Sequence, residues 1–286
     1  MPFQVSEQVL ALARQAEQGL GEQFARIDAI AQHNTQRVLS AFQDHRVAEG
    51  YFAGTTGYGY DDLGREQLDL IYAQLFGTED ALVRIGFVNG THAISSALFS
   101  VLRPGDTLVS AVGAPYDTLL GVIGVADKGT GSLKDFGVAY RQVDLTPEDT
   151  PDLDALAVAV RDKSVRAVLI QRSRGYATRA SLSVDEIGHM CAVIRENNPD
   201  AAILVDNCYG EFTEEQEPTH VGADLVVGSL IKNPGGGLAP TGGYLAGRHD
   251  LIEGAAMRLT CPGIGRECGA TLGNNRLLYQ GLFMAP

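Results

Sequence analysis

Short apolar runs rich in β-branched residues alternate with helical stretches along most of this chain, and that alternation restricts its fold more than any other feature. The runs cover residues 81–88, 107–112, 166–170, 201–205, 224–227 and 244–246. Helical spacing of apolar residues separates several of them, in residues 92–102, 153–160 and 184–195. Strands that alternate with helices predict an α/β fold with a mostly parallel sheet. The runs lack strict alternation, as expected when helices cover both faces of the sheet.

The first fifty residues follow a different pattern. Apolar residues recur at spacings of three and four, which predicts helix over residues 6–49 with one break at the glycines near its first third. Residues 54–64, GTTGYGYDDLG, contain too much glycine for a regular element. We therefore expect an N-terminal helical arm over residues 1–50. A three-layer α/β/α domain with a mainly parallel sheet of seven strands should occupy residues 51–286.

Composition excludes several classes of protein. The net charge of −13 disfavours broad nucleic-acid binding, which needs a basic face. No apolar run is long enough to span a membrane, and the first residues lack the pattern of a signal peptide. Neither the four cysteines nor the six histidines show the spacing of a metal site. We expect a soluble cytoplasmic protein with reduced thiols, no metal, and no nucleic-acid or membrane partner.

Lysine is scarce, since only four of the 22 basic residues are lysine. Lys128, Lys134 and Lys163 lie among polar or turn residues, whereas Lys232 follows the apolar run LVVGSLI. It therefore lies just past a predicted strand, where ligands bind in open α/β sheets. Partial desolvation there would lower the pKa of Lys232 and make it a candidate for a Schiff base. A lysine in a surface loop fits the position alone equally well.

Asp206 favours the Schiff-base interpretation of Lys232. It ends the run AAILVD, so it lies at the carboxyl end of another predicted strand. Pyridoxal phosphate (PLP) needs an anion against its pyridinium nitrogen, and Asp206 would supply it. A helix cap or a loop carboxylate is the plain alternative. Tyr209, three residues further on, could reach the phenolic oxygen of the same ring.

The phosphate of such a cofactor needs backbone amides and hydroxyls at the start of a helix. Gly90 and Thr91 follow a predicted strand and begin a helix, although an ordinary turn explains Gly90 as well. Ser229 is a second hydroxyl candidate. Tyr116, in the loop after the next strand, could stack on the ring, and a packed tyrosine is an equally good interpretation. Nucleotide-binding and hydrolase motifs are missing from the sequence.

Six blocks of the sequence together resemble one bacterial family. They are GYGYDDLGRE, NGTHAI, APYDTL, QRSRGY, VDNCYGEF and SLIKNPGGGLAPTGGY. The resemblance, from about Ser6 to the last residue, is to the methionine gamma-lyase-like or aluminium-resistance proteins, which are fold-type-I PLP enzymes. It implies a carbon–sulfur lyase that acts on a sulfur amino acid by methionine gamma-lyase or cystathionine beta-lyase-like elimination. The alternatives are another PLP reaction, such as aldol cleavage or transamination, or a PLP-binding stress or metal-resistance protein with little turnover.

The resemblance also implies roles for individual residues. Lys232 would hold PLP, Asp206 and Tyr209 would face its ring, and Tyr116 would cover it, a place for which His92 competes. The phosphate would be held by three residues: Gly90, Thr91 and Ser229. A homodimer or homotetramer with shared active sites is implied, in which the neighbouring subunit contributes Tyr58 and Tyr60. The substrate carboxylate would be bound by two arginines, Arg172 and Arg174.

The sequence departs from this family pattern in two places. Fold-type-I enzymes carry a smaller C-terminal domain, and this chain ends at Pro286, about where that domain should begin. We therefore expect the small domain to be absent or truncated. The residues before the lysine are SLI, whereas cystathionine lyases have a Ser-x-Thr-Lys pattern there.

Overall fold

A computed structural model describes residues 5–126 and 129–286, and it contains one seven-stranded sheet with helices on both faces. Residues 1–4, with which the expected arm begins, and Lys128 lie outside the described residues. The strands are β1 (Asp80–Arg84), β2 (Thr107–Ser110), β3 (Ala139–Gln142), β4 (Val165–Gln171), β5 (Ala202–Asp206), β6 (Leu225–Ser229) and β7 (Gly243–Gly247). The helices are α1 (Glu7–Gln18), α2 (Gly21–Asp44), α3 (Leu63–Phe76), α4 (Gly90–Val101), α5 (Asp117–Ile123), α6 (Leu153–Val160), α7 (Val184–Asn197), α8 (His249–Leu259) and α9 (Asn275–Phe283).

The strand order is β1-β7-β6-β5-β4-β2-β3, and only β7 runs against its neighbours. The remaining neighbours are parallel, so β2, β4, β5 and β6 end at the same edge of the sheet. Since β1 and β6 are both antiparallel to β7, β1 ends at that edge as well. The predicted α/β fold with a mainly parallel seven-stranded sheet is confirmed.

Two apolar clusters fill the space on either side of the sheet. One cluster contains the buried faces of α3, α6 and α7, and the other contains those of α4, α5 and α8. Leu204 and Val205, neighbours on β5, belong to opposite clusters because successive side chains of a strand point to opposite faces. Both faces of the sheet are therefore covered by apolar side chains, which explains why the strands are apolar without strict alternation.

Two strand predictions need correction. No apolar run predicted β3, because its residues AYRQ are largely exposed and, within the described sheet, it is the end strand and pairs with β2 alone. The predicted strand over residues 81–88 was too long. β1 ends at Arg84, and residues 85–89 leave the sheet to carry the chain to the start of α4.

The predicted N-terminal helix with one break corresponds to α1 and α2. α1 buries none of its residues, whereas α2 buries three of them. One of these, Asn34, donates to the carbonyls of Phe212 and Glu214 at 3.0 Å each and so fixes α2 to the segment after β5. The division of the chain into an arm and a large domain stays a prediction. Within the described ranges, no helix combines the length and apolar character that a membrane crossing requires.

Leu204 tests how strongly the central strand holds the sheet. Its side chain is 1% exposed and belongs to the apolar cluster that contains the buried faces of α4, α5 and α8. Leu204→Ala should therefore lower the free energy of unfolding, measured by urea denaturation, by about 2–5 kcal/mol. The matched control is Val158→Ala on α6, because Val158 is 64% exposed. It should change the free energy by less than about 0.5 kcal/mol. Equal losses in the two variants would contradict the core position of Leu204.

Candidate active site

The carboxyl ends of β5 and β6 bring Asp206 and Lys232 together. Asp206 is the last residue of β5 and pairs in register with Val227 of β6, five residues before the lysine. The carboxylate is 3% exposed and accepts the backbone N–H of Cys208 at 3.2 Å. The Lys232 ammonium lies 4.1 Å from the centre of the Tyr209 ring, which is a cation–π contact.

Burial and neighbouring charges shift the pKa of both Asp206 and Lys232. Burial raises the pKa of Asp206, and the hydrogen bonds of Cys208 and the charge of Lys232 oppose that rise. Burial acts to lower the pKa of Lys232, but its acidic neighbours, Cys208 and Asp206 among them, overcome this effect and raise it. The lowered lysine pKa expected from the sequence is therefore wrong for this structure. The reason is that desolvation is opposed by a carboxylate in the same pocket.

A cradle for a small anion lies beside the pair, at the start of α4. A methyl group on Gly90 would lie 3.2 Å from Cβ of Ser229 and 3.4 Å from Sγ of Cys208, so glycine lets the start of α4 pack closely against these two side chains. The Ser229 hydroxyl is buried and has no hydrogen-bond partner among the described residues. Because a buried hydroxyl without a partner is costly, this oxygen is available to a ligand. Backbone N–H groups at a helix start favour a phosphate there.

Tyr116 and Thr91 border the cradle. The Tyr116 hydroxyl donates to Oγ1 of Thr91 at 3.0 Å, and its backbone N–H donates to Oε1 of Gln171 at 3.0 Å. Burial, assisted by the nearby charge of Asp206, raises the pKa of Tyr116 and keeps the phenol neutral. His92, the competing residue, instead accepts the backbone N–H of Val88 at 3.2 Å through Nδ1.

Tyr58 and Tyr60 are presented outward. Their side chains are 79% and 53% exposed, and their ring centres lie 6.0 Å apart. The buried Arg65 fixes the glycine-rich segment that carries them, because its guanidinium donates to the carbonyls of Gly59 and Gly269 at 2.7 Å each. Within the part of the chain that the structure describes, no hydrogen bond or ring contact joins either tyrosine to the site lysine.

The two arginines expected at the substrate carboxylate lie in different surroundings. Arg172 is 3% exposed, and its guanidinium donates to Asn207, Gly210 and Glu214 at 2.5–2.8 Å. It is therefore committed to internal acceptors, and the expectation that it binds substrate is not supported. Arg174 is exposed on the loop after β4, and its role at the substrate stays a prediction.

Two residues near the site were missed by the sequence analysis. Cys208 follows Asp206 by two positions, and burial raises the pKa of its thiol well above the ordinary range. Cys208 lies in the turn directly after the predicted strand end, where ligands bind in open α/β sheets, and this position is the signal that could have revealed it. Glu211 is 1% exposed, accepts the Tyr244 hydroxyl at 2.9 Å through Oε1, and has no partner for Oε2 in residues 5–126 and 129–286. Nothing in the sequence marks this carboxyl group as buried.

A cluster with metal-binding side chains lies away from the cradle, on β1 and α8. The ligand atoms of Asp80, His249 and Glu253 lie within 4.8 Å of one another. Arg266 donates to both carboxylates of this cluster and to Asp69. The guanidinium thus occupies the position that a cation would take.

Comparison with known proteins gives one consistent family. The family model described as methionine gamma-lyase matches residues 9–286. The uncharacterized protein YnbB of Bacillus subtilis is 53% identical over 261 residues, which are 91% of this chain and 62% of that protein. The L-methionine gamma-lyase of Pseudomonas putida is 28% identical over 235 residues, 81% of this chain and 53% of that protein.

Solved structures agree with these matches. The carbon-sulfur lyase involved in aluminum resistance from Clostridium novyi NT superposes with a TM-score of 0.95 at 50% identity. The match covers 99% of this chain and 67% of that one. The chain thus spans 53–62% of the length of the two curated relatives above.

Glu211 should make stability depend on pH. Burial raises its pKa from 4.5 to about 8, so between these values the folded chain keeps a proton that the unfolded chain has released. Stability should therefore fall as the pH rises through this window. Glu211→Gln should make that fall shallower by up to about 1.4 kcal/mol per pH unit, measured by urea unfolding from about pH 5 to about pH 8.

The control for this prediction is Glu215→Gln, because Glu215 is an exposed carboxylate four residues away. It should leave the slope unchanged. The assignment would be wrong if both variants kept the wild-type slope, because the burial of Glu211 would then leave its protonation as it is in the unfolded chain.

Proposed function

The chain belongs to the methionine gamma-lyase family, and from that premise we propose that it is a PLP-dependent carbon–sulfur lyase acting on a sulfur amino acid. The observation that carries the proposal is the meeting of three features at one sheet edge. They are an amine in the electrostatic field of a buried carboxylate, a helix start that Gly90 lets pack close to Ser229, and the hydroxyl of Ser229, which has no partner among the described residues. The names of the relatives, L-methionine gamma-lyase and carbon-sulfur lyase, support the reaction class.

The residues present fit PLP. Lys232 would hold it through Nζ, and Asp206 would face the pyridinium nitrogen. The phosphate would lie against the first amides of α4, with Ser229 and Thr91 as hydroxyl ligands. The close approach of Gly90 to Ser229 and the unsatisfied Ser229 oxygen support this assignment. The first brings the start of α4 beside that hydroxyl, and the second is costly unless a ligand uses it.

The protein side chains would divide the chemistry among them. When bound, PLP supplies an electron sink for negative charge at the substrate α-carbon. Nζ of Lys232 would take the α proton and hold it until it is returned to the substrate or product. The Asp206 carboxylate would keep a proton on the ring nitrogen, and its burial excludes the water that would weaken this interaction. Tyr116, a neutral phenol, would cover the cradle.

We propose in addition that the active protein is a homodimer or homotetramer, with Tyr58 and Tyr60 reaching a neighbouring subunit. Their exposure of 79% and 53% on a segment fixed by Arg65 supports this role, because an exposed aromatic pair on a held segment is typical of an interface. The cytoplasmic location expected from the sequence stays a prediction.

Lys232 gives the first test. Borohydride reduction of the PLP-loaded protein, followed by peptide mapping, should place the label on Lys232, and Lys232→Ala should lose it together with at least about 1000-fold in kcat/KM. The matched control is Lys163→Ala, which removes an exposed lysine. It should keep both label and activity.

The products decide the reaction class. Release of a 2-oxo acid, ammonia and a thiol from methionine or cystathionine would support elimination. Release of glycine and an aldehyde from a β-hydroxy amino acid would assign aldol cleavage instead. A Lys232→Ala protein that still yields a labelled peptide would overturn the lysine assignment.

Gly90 tests the cradle. Gly90→Ala would place a methyl group 3.2 Å from Ser229 and 3.4 Å from Cys208, so the dissociation constant of PLP should rise about tenfold. The control is Gly86→Ala, where the methyl group would meet only Leu259, at 3.7 Å. Spectroscopic titration of the apo-proteins with PLP measures both constants. Equal constants in the two variants would place the phosphate elsewhere.

A further inference from the structure

The turn after Asp206 contains a residue in a costly backbone conformation. Tyr209 has a φ of 69°, in the left-handed region that side chains with a Cβ rarely adopt. Its ring nevertheless lies 4.1 Å from Nζ of Lys232. Such a conformation persists only where the surroundings hold it firmly. The contacts that hold this turn therefore control where Asp206 and Tyr209 point.

Arg172 supplies contacts to both ends of the turn. Its Nη1 donates to Oδ1 of Asn207 and to the carbonyl of Gly210, each at 2.8 Å. Its backbone N–H donates to the carbonyl of Asp206 at 3.0 Å. One residue at the end of β4 thus bonds to three residues of the chain around Tyr209.

Two carboxylates hold the arginine in turn. Nη2 of Arg172 donates to Oε1 of Glu214 at 2.5 Å. Glu217 is fully buried, lies 3.7 Å from Nη1, and accepts the side-chain amide of Asn207 and the backbone N–H of Phe212 at 2.9 Å each. A buried arginine paired in this way keeps a single orientation, since any other would leave a charge unpaired.

Gly210 shows how closely the arginine lies against the turn. A methyl group there would be 2.5 Å from both Cδ and Nη1 of Arg172, and Gly210 has no positive φ that would demand glycine. The lack of a side chain at Gly210 is therefore explained by the space that the arginine occupies.

From these contacts we propose that Arg172 is a positioning residue. It holds the turn Asp206–Gly210 so that the Asp206 carboxylate and the Tyr209 ring face Lys232, and it does not bind the substrate. The proposal rests on the proposed function where its effect is measured through PLP. Loss of the arginine should let Tyr209 relax from its left-handed conformation and should disorder the ring side of the cofactor site.

Arg172→Lys tests the proposal, because lysine keeps the charge but cannot donate to Asn207, Gly210 and Glu214 at once. The matched control is Arg179→Lys. Arg179 is 4% exposed and, among the described residues, its guanidinium donates to three backbone carbonyls, those of Gln171, Ser173 and Ala180. The two variants therefore remove equally buried guanidinium groups, of which only one contacts the turn.

Three quantities separate positioning from general stability. They are the dissociation constant of PLP, the midpoint pH of the bound cofactor's absorbance change, and hydrogen exchange of the amides in residues 207–217. Arg172→Lys should weaken PLP at least about tenfold, shift the midpoint pH and speed the exchange. Arg179→Lys should stay within about twofold of the wild type in all three measurements.

Gly210→Ala provides a second variant if the lysine variant folds poorly. Its methyl group should displace the arginine and reproduce the three effects of Arg172→Lys. In an Arg172→Ala background the clash is gone, so Gly210→Ala should add little further loss. Additive losses in this double-mutant cycle would overturn the proposal, because the two residues would then act independently.

The remaining outcomes are also decisive. Faster exchange with an unchanged PLP constant and midpoint would overturn the proposal in favour of a purely structural role. A rise in KM alone, with PLP binding unchanged, would overturn it in favour of a substrate contact. If the wild type takes up no PLP, the proposed function fails. The exchange of residues 207–217 then decides by itself whether Arg172 holds the turn.

Discussion

The electrostatic attraction between the Asp206 carboxylate and the Lys232 ammonium is the interaction on which the rest of the site depends. An isolated carboxylate at 3% exposure is costly, because burial in a medium of low polarity disfavours the charged form. The cost is offset here by the N–H of Cys208 and by the lysine. The lysine is available because β5 and β6 are parallel and end at the same sheet edge, whereas Cys208 follows Asp206 in the same turn. The order and direction of the strands thus determine which side chains can act together at this position.

Two glycines near Asp206 and Lys232 bring the backbone close to side chains. Neither adopts the left-handed conformation that would by itself require glycine. Gly90 lets the start of α4 lie close to Ser229 and Cys208, whereas Gly210 lets Arg172 lie against the turn. Both glycines therefore make room for a neighbouring side chain, but only Gly90 brings a helix start beside the unpartnered hydroxyl of Ser229. A sequence shows both simply as glycine after a strand, so only the structure distinguishes a binding position from a packing position.

The sequence was sufficient for features that local pattern controls. Apolar runs revealed the buried strands, and their ends correctly located Asp206 and Lys232 at one edge. The pattern failed where the environment is set by distant residues. β3 has no apolar run because it lies at the end of the sheet. The raised pKa of Lys232 and the internal role of Arg172 depend on partners from other strands and loops. No window of the sequence contains those partners.

The protonation and pairing of the other buried acids near the site explain why the charge of Lys232 compensates Asp206 alone. Burial keeps Glu211 protonated near neutral pH, so it places no charge beside the lysine. Glu217 is compensated by Arg172 and by the amide of Asn207. With one acid neutral and the other paired, Asp206 is left as the carboxylate whose counter-charge must come from Lys232. Arg172 therefore compensates Glu217 from the interior, and Lys232 is left to compensate Asp206. An arginine that bound substrate would leave the buried Glu217 carboxylate without that compensating charge.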